Sequence, residues 1–250
     1  MPRPHPLVTL LSGAALMALS LSGCSRTNDS PAANDAAQSA QDWSTLKDFD
    51  AIDATGPDDV VLTIGNGFSV KAEGDAKAIA NLDIRVKGDT LVIGRNGKMD
   101  WNWGDDGGKS VTIRVTMPAI KAADLTGSGN LDIDRAVGDS LDLSLTGVGD
   151  VLIGTATLKS LSADITGTGS IKIAGTADRA KLSVTGVGDI DGDALKVGTA
   201  DLSVLGTGDI DIASDGKVAI SITGPGDVTV KGKAQCTTSG TGPGEARCAP

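Results

Sequence analysis

The chain has 250 residues and a formal net charge of −10, with three tryptophans, two phenylalanines and no tyrosine. An acidic surface argues against nucleic acid or anionic lipid as a partner. The single histidine, His5, leaves no imidazole elsewhere for acid–base or triad chemistry. Nearly all the acids are aspartates, since Glu73 and Glu245 are the only glutamates. Aspartate favours turns and glutamate favours helices, so the composition predicts few helices.

Residues 1–23 are typical of an export signal, with Arg3 before an apolar run and small residues after it. The segment leads into Leu21-Ser-Gly-Cys24, which resembles the lipobox of bacterial lipoproteins. The resemblance implies cleavage before Cys24, lipidation of Cys24 and, because Ser25 follows rather than aspartate, sorting to the outer membrane. The alternative is an ordinary cleaved signal with Cys24 merely nearby. Residues 24–42 are small, polar and aperiodic, which predicts a flexible tether.

Residues 43–117 contain short alternating segments between turn residues, a pattern that predicts a β-rich region capping the repeats that follow. We expect one helical turn at most, at 76–81, and strands at 60–64, 68–72, 82–86, 90–93 and 111–115. A loop that follows Arg95 carries Trp101 and Trp103 among aspartates and glycines. These tryptophans could contact a sugar or a protein partner, or they could cover the open end of the domain.

Residues 118–250 contain a repeat of about 20 residues, which is the length of one stacked unit. Gly-x-Gly followed by a small polar residue begins at Gly127, Gly147, Gly167, Gly186, Gly206 and Gly224. Aliphatic and polar residues alternate around each glycine pair, so the aliphatic set should face inward. Glycine permits a tight corner and close approach of neighbouring coils. The repeat therefore predicts an all-β solenoid, because a propeller blade needs about 40 residues.

Several segments together resemble the head-GIN-domain family, described as the head of autotransporter adhesins, with unknown function. The likeness is carried by Phe49-Asp-Ala-Ile-Asp53, by the strand that ends at Met117-Pro118, and by Leu125-Thr-Gly-Ser-Gly-Asn130. It covers about residues 46 to 233. The resemblance implies a right-handed β-solenoid and no catalytic residues.

The polar residues after the glycines should form a column when the coils stack, namely Asn130, Asp150, Ser170, Asp189, Asp209 and Asp227. Asp189, Asp209 and Asp227 would then lie on consecutive coils and could offer carboxylate oxygens to calcium. The alternative, which we favour, is that each side chain caps its own turn through backbone N–H groups. We therefore assign no metal and no other cofactor.

Cys236 and Cys248 form a pair in a chain with an export signal, which predicts a disulfide closing the C-terminal end. The alternative is a reactive or metal-binding thiol pair, which needs basic or histidine residues nearby. Arg247 is the only such residue close in sequence.

These features predict a non-enzymatic, lipid-anchored protein of the cell envelope that presents a β-solenoid for adhesion or scaffolding. Two alternatives stay open. One is a carbohydrate-binding or carbohydrate-acting solenoid, and the other is a periplasmic envelope-stress or sensor component with a protein partner. We expect an outer-membrane location, facing either the periplasm or the exterior. The expected partners are the membrane, through the lipid anchor, and a protein or glycan.

Overall fold

A computed structural model describes residues 41–96 and 110–249, and most of this part of the chain is β-structure. Within these residues there are 17 strands and one short helix. In chain order the elements are β1 (Ala51–Gly56), β2 (Asp59–Ile64), β3 (Ser69–Glu73), α1 (Ala76–Ala80), β4 (Leu82–Lys87), β5 (Thr90–Arg95), β6 (Thr112–Met117), β7 (Ala122–Gly127), β8 (Leu131–Ile133), β9 (Ala136–Gly147), β10 (Asp150–Gly167), β11 (Ser170–Gly186), β12 (Asp189–Gly206), β13 (Ile210–Ser214), β14 (Lys217–Thr223), β15 (Val228–Lys231), β16 (Gln235–Thr241) and β17 (Ala246–Ala249). The expected strands between residues 60 and 115 are present as β2 to β6, and the expected helical turn is α1.

The repeats stack in parallel and in register. Gly167 pairs with Gly147 of the preceding coil and with Gly186 of the following one, and Ile165 pairs in the same way with Leu145 and Val184. The structure is a β-solenoid of about six coils, each roughly 20 residues long. The predicted fold class is therefore confirmed.

The aliphatic residues predicted to face inward are buried, and in-register pairing places each one on its counterpart in the next coil. These residues are Leu125, Leu131, Ile133, Leu143, Leu145, Val151, Ile153, Ile165, Ile171, Ile173, Val184, Ile190, Val204, Ile210, Ile212, Ile222, Val228 and Val230. The core is thus a set of aliphatic ladders along the solenoid axis. Burying these ladders is the main driving force that holds the coils together.

Each complete coil has three sides, whereas the alternation around Gly-x-Gly predicts only two. In the coil formed by β10, the buried alternation is interrupted between Ile153 and Ala156, and again between Leu158 and Leu161. The chain bends at both interruptions as well as at Gly-x-Gly, which leaves three straight sides. In this coil they are the second side (150–153), the third side (156–158) and the long side (161–167).

Glycine is required at the corners for two separate reasons. The first glycine of each pair has a left-handed backbone, as at Gly147 with φ of +131°, a region that side chains other than glycine rarely adopt. The second glycine, such as Gly149, is buried, and a Cβ there would lie 1.9 Å from the Gly129 carbonyl oxygen. The corner therefore needs both unusual dihedral angles and the absence of a side chain.

The coil register extends to the N-terminal side of residue 118. β1 and β2 pair in parallel with β7 and β8, so that Gly56 lies under Gly127 and Val60 lies under Leu131. On the other side, β1 pairs with β5 and β2 pairs with β6. Thus part of the predicted cap, residues 51–64, has the register of a coil.

The N-terminal end of the stack is covered by antiparallel strands, β4 on β5 and β3 on β6. Charged residues on these outer strands, such as Lys71 and Arg85, oppose further edge-to-edge pairing. The short helix α1 connects the two strands, and the Asp75 carboxylate accepts the Lys77 and Ala78 N–H groups at its start. Within the described residues, no helix could cross a bilayer.

The predicted disulfide is present at the C-terminal end. Cys236 continues the ladder of Val218, and Cys248 continues the ladder of Val230. The two sulfur atoms are 1.99 Å apart, which is a covalent bond. The disulfide therefore joins two sides of the last coil at inward-facing positions and closes the end of the core.

Candidate functional site

The polar column after the glycines links neighbouring coils. The Asp189 carboxylate accepts the Asp209 backbone N–H at 2.8 Å, and the Asp209 carboxylate accepts the Asp227 N–H at 2.7 Å. The Asp227 carboxylate accepts the Glu245 N–H at 2.8 Å. Each side chain therefore bonds the backbone of the following coil rather than its own turn, contrary to the favoured prediction. The difference arises because corners stacked in register bring the next N–H close to each carboxylate.

The same bonds continue toward the N-terminus. Asp59 accepts the Asn130 N–H at 2.9 Å, Asn130 accepts the Asp150 N–H at 3.1 Å, and Asp150 accepts the Ser170 N–H at 3.0 Å. Among the described residues, no group of three or more aspartates, glutamates, cysteines or histidines is placed to hold a metal ion. The column thus has a structural use that explains its residue types without a ligand.

Three of the predicted functional residues, Cys24, Trp101 and Trp103, lie outside the described residues, so the proposals about them stay predictions. The two ends of the loop that carries the tryptophans are joined by Asp58. Its carboxylate accepts hydrogen bonds from Arg95 Nε and Nη2, at 2.8 and 2.6 Å, and from the Val111 N–H, at 2.9 Å. The Asp58 side chain is only 3% exposed, and the ion pair raises the pKa of Arg95.

On the outer surface of the second and third sides, and at their corners, ion pairs join residues of different coils. Lys159 pairs with Asp139 at 2.6 Å, Lys172 pairs with Asp191, Lys196 pairs with Asp215 at 2.8 Å, and Lys231 pairs with Asp193 at 2.7 Å. Most of these charges are thus satisfied within the molecule.

The long side has a different outer surface, made of in-register columns of short polar side chains. One column contains Asp124, Ser144, Asp164, Ser183, Ser203, Ser221 and Ser239. Beside it runs a column of threonines interrupted once by the exposed Leu205, namely Thr126, Thr146, Thr166, Thr185, Leu205, Thr223 and Thr241. From Asp142 to Thr241, no ion pair joins neighbouring coils on this side within the described residues.

A shallow groove of about 510 Å³ runs along this side. Its polar lining is Asp164, Lys181, Ser183, Asp201, Ser203, Ser221, Thr237 and Ser239. We call it the serine groove. The sequence contained the signal, because Ser or Asp, an aliphatic residue and usually Thr precede each Gly-x-Gly. That pattern predicts which residues face outward, but it does not by itself indicate a groove.

The N-terminal part of the long side is acidic. Asp124 stacks between Asp53 and Ser144, and Asp142 lies nearby on the next coil. Burial raises the pKa of Asp124, and the charges of Asp53 and Asp142 raise it further. The long side thus changes along the axis, from an acidic region to a region of hydroxyl groups.

Residues 48–234 match the family described as "Putative auto-transporter adhesin, head GIN domain". A solved "putative adhesin" from Bacteroides fragilis is 26% identical with a TM-score of 0.73, over 81% of this chain and 93% of that one. A "putative lipid binding protein" from Parabacteroides distasonis has the same fold, at 22% identity and a TM-score of 0.65, over 81% and 93% of the two chains. So does a "putative adhesin" from Parabacteroides merdae, at 18% identity and a TM-score of 0.64, over 81% and 92%. No curated protein matches the chain. The family match confirms the resemblance noted in the sequence, and the chain belongs to the head GIN domain family.

Proposed function

We propose that this protein is a non-enzymatic adhesin of the cell envelope, anchored by lipid on Cys24. One observation carries the proposal. The long side repeats the same short polar residues from coil to coil, so it offers an extended surface rather than a single specialised cleft. The family description and the Bacteroides fragilis relative support an adhesive role.

The distribution of polar groups supports a binding role over a catalytic one. A catalytic site needs acid, base or nucleophile groups of matched pKa converging on one reacting atom. The serine groove instead presents mainly serine and threonine hydroxyls. Its charged residues, Asp164, Lys181 and Asp201, come one from each of three neighbouring coils, and no histidine follows His5 in the sequence. Such a lining suits hydrogen bonding to a partner over several coils.

Lipid anchoring is supported by the sequence Leu21-Ser-Gly-Cys24. Multiple acyl chains give stable membrane attachment, whereas a single chain is marginal. Metabolic labelling of cells with an alkyne fatty acid tests this step. We expect the wild type to be labelled and to sediment with membranes, and a Cys24→Ala variant to be unlabelled and released.

Orientation decides between an adhesin and a periplasmic component. Intact cells treated with proteinase K should lose the folded domain, while a periplasmic control protein stays intact. Protection of the domain until the outer membrane is opened would overturn the adhesin proposal and favour a periplasmic role with a protein partner.

The tryptophan loop is proposed as a second contact region or as a cover for the N-terminal end of the solenoid. A Trp101→Ala/Trp103→Ala double variant separates the two roles. A large loss of melting temperature indicates the cover. Unchanged stability with weaker attachment of cells indicates a contact region.

A further inference from the structure

The serine groove suggests a ligand class for the proposed adhesin, and this inference rests on that proposed function. The groove spans five coils, from Asp164 on β10 to Ser239 on β16. With neighbouring strands about 4.8 Å apart, it is roughly 19 Å long. It is shallow and open to solvent, with a volume of about 510 Å³, so it suits an elongated ligand held on one face rather than an enclosed small molecule.

Several hydroxyl groups in the groove are free to bond a ligand. Within the described residues, the side chains of Ser183, Ser203 and Ser221 make no hydrogen bond to the rest of the chain. Ser239 differs, since its hydroxyl donates to the Ile220 carbonyl at 3.3 Å. Each free hydroxyl can donate one hydrogen bond and accept others, as sugar hydroxyls also do.

The charge of the groove selects among polyhydroxylated ligands. Its lining contains two carboxylates, Asp164 and Asp201, and one cation, Lys181. The groove is therefore weakly acidic, and it lies on a chain with a net charge of −10. An anionic polymer would be repelled by the whole surface, whereas a neutral one would not.

The spacing of the hydroxyls favours an extended chain over a compact ligand. Ser183, Ser203 and Ser221 recur once per coil in register, so their repeat is about 4.8 Å. An extended chain laid along the groove can bond the hydroxyl group of each coil in turn, whereas a compact ligand reaches only one or two of them. We propose that the serine groove binds a neutral, extended β-linked polysaccharide whose sugar rings follow the coils.

Isothermal titration with cellohexaose, chitohexaose and a β-1,4-linked mannuronate hexamer, which is anionic but has the same linkage, tests this proposal on the folded, unlipidated mature protein. A groove variant, Ser183→Gln/Ser203→Gln/Ser221→Gln, fills the floor with longer side chains at outward positions. The matched control is Val137→Gln/Thr157→Gln/Thr176→Gln, three exposed, in-register positions on the third side of consecutive coils. Melting temperatures of the wild type and both variants establish that all three are folded.

We expect at least one neutral hexamer to bind the wild type and the control variant, and to bind the groove variant about tenfold more weakly or worse. The mannuronate hexamer should not bind, because its carboxylates are repelled by the acidic surface. No binding of either neutral hexamer at millimolar concentration would overturn the proposal, as would equal binding by the groove variant.

Attachment of cells to a surface separates this inference from the proposed function. If cells carrying the wild-type protein attach while neither neutral hexamer binds, the glycan inference fails and the adhesin proposal stands. If the hexamers bind but proteinase K cannot reach the domain on intact cells, the groove is a glycan site and the adhesin proposal fails.

Discussion

Replacing Gly149 by alanine tests how tightly the corners pack. The new Cβ would lie 1.9 Å from the Gly129 carbonyl oxygen, 3.1 Å from the Gly129 carbonyl carbon and 3.3 Å from Leu125 Cδ2. The backbone of Gly149 is not in the left-handed region, so dihedral strain is not the cause. Real Cβ contacts below 3.0 Å essentially do not occur. The corner must therefore move away from the preceding coil by more than an ångström.

That movement would break hydrogen bonds on both sides of the substitution. The Val148 N–H donates to the Gly127 carbonyl at 2.9 Å, and the Asp150 N–H donates to the Asn130 side chain at 3.1 Å. Losing both costs about 2 kcal/mol at about 1 kcal/mol each, and overpacking adds about 1–3 kcal/mol. We expect Gly149→Ala to lower the free energy of unfolding by about 3–5 kcal/mol, or the melting temperature by roughly 10 °C.

Gly138→Ala is the matched control, because a Cβ at Gly138 would meet nothing within 4 Å and its φ is not in the left-handed region. It should leave stability unchanged or raise it by up to about 1 kcal/mol through a less flexible unfolded chain. Urea unfolding followed by circular dichroism compares the two variants. Equal free energies of unfolding would refute the packing argument.

Three further predictions concern charge and covalent closure. Asp58→Ala should lower the free energy of unfolding by about 3 kcal/mol in urea unfolding, because the two hydrogen bonds from Arg95 and the one from the Val111 N–H are lost. Cys236→Ser/Cys248→Ser should cost about 3 kcal/mol and match the reduced wild type, whereas equal stability with and without reductant would exclude a stabilising disulfide. The raised pKa of Asp124 means that its ionisation opposes folding, so stability from its neutral form is lost as pH rises through the folded pKa. Asp124→Asn should therefore exceed the wild type in melting temperature near neutral pH but match it below the ordinary carboxyl range.

The repeat in the sequence was sufficient to predict the main fold. Leu145, Ile165 and Val184 recur at the same distance before each glycine pair, and the structure stacks them directly. Such a prediction succeeds because both the inside–outside alternation and the coil length are local properties of the chain.

The third side could not be predicted in the same way. It begins after a bend that shifts the alternation, and it uses small residues such as Ala136, Ala156 and Gly175 next to larger ones such as Leu158 and Leu195. Alanine and glycine give little hydrophobic signal in a sequence. Gly175 is required here by a left-handed backbone and by its close approach to the Ala156 carbonyl oxygen, which only the stacked coils define.

The first coil, residues 51–64, could not be recognised from the Gly-x-Gly repeat because its corner lacks the second glycine. Asp58 occupies the position that corresponds to Gly129, and the Asp58 carbonyl oxygen lies where a Cβ on Gly129 would clash. A side chain is accommodated at this corner because Asp58 turns its carboxylate to Arg95 and the Val111 N–H. The same residue therefore ends the glycine column and joins the two ends of the loop that bears the tryptophans.

The two polar columns of this protein show how internal partners separate structural residues from binding residues. In the sequence, Asp189, Asp209 and Asp227 are the more conspicuous candidates for a ligand, because carboxylates on consecutive coils could bind a cation. Each of them accepts a backbone N–H from the next coil, which accounts for its place in the repeat without a cation. Ser203 and Ser221 are less conspicuous, yet their hydroxyls have no partner within the described residues. A polar group that is hydrogen-bonded within the fold stabilises its own molecule, whereas repeated unbonded hydroxyls in a groove can be satisfied only by water or a ligand.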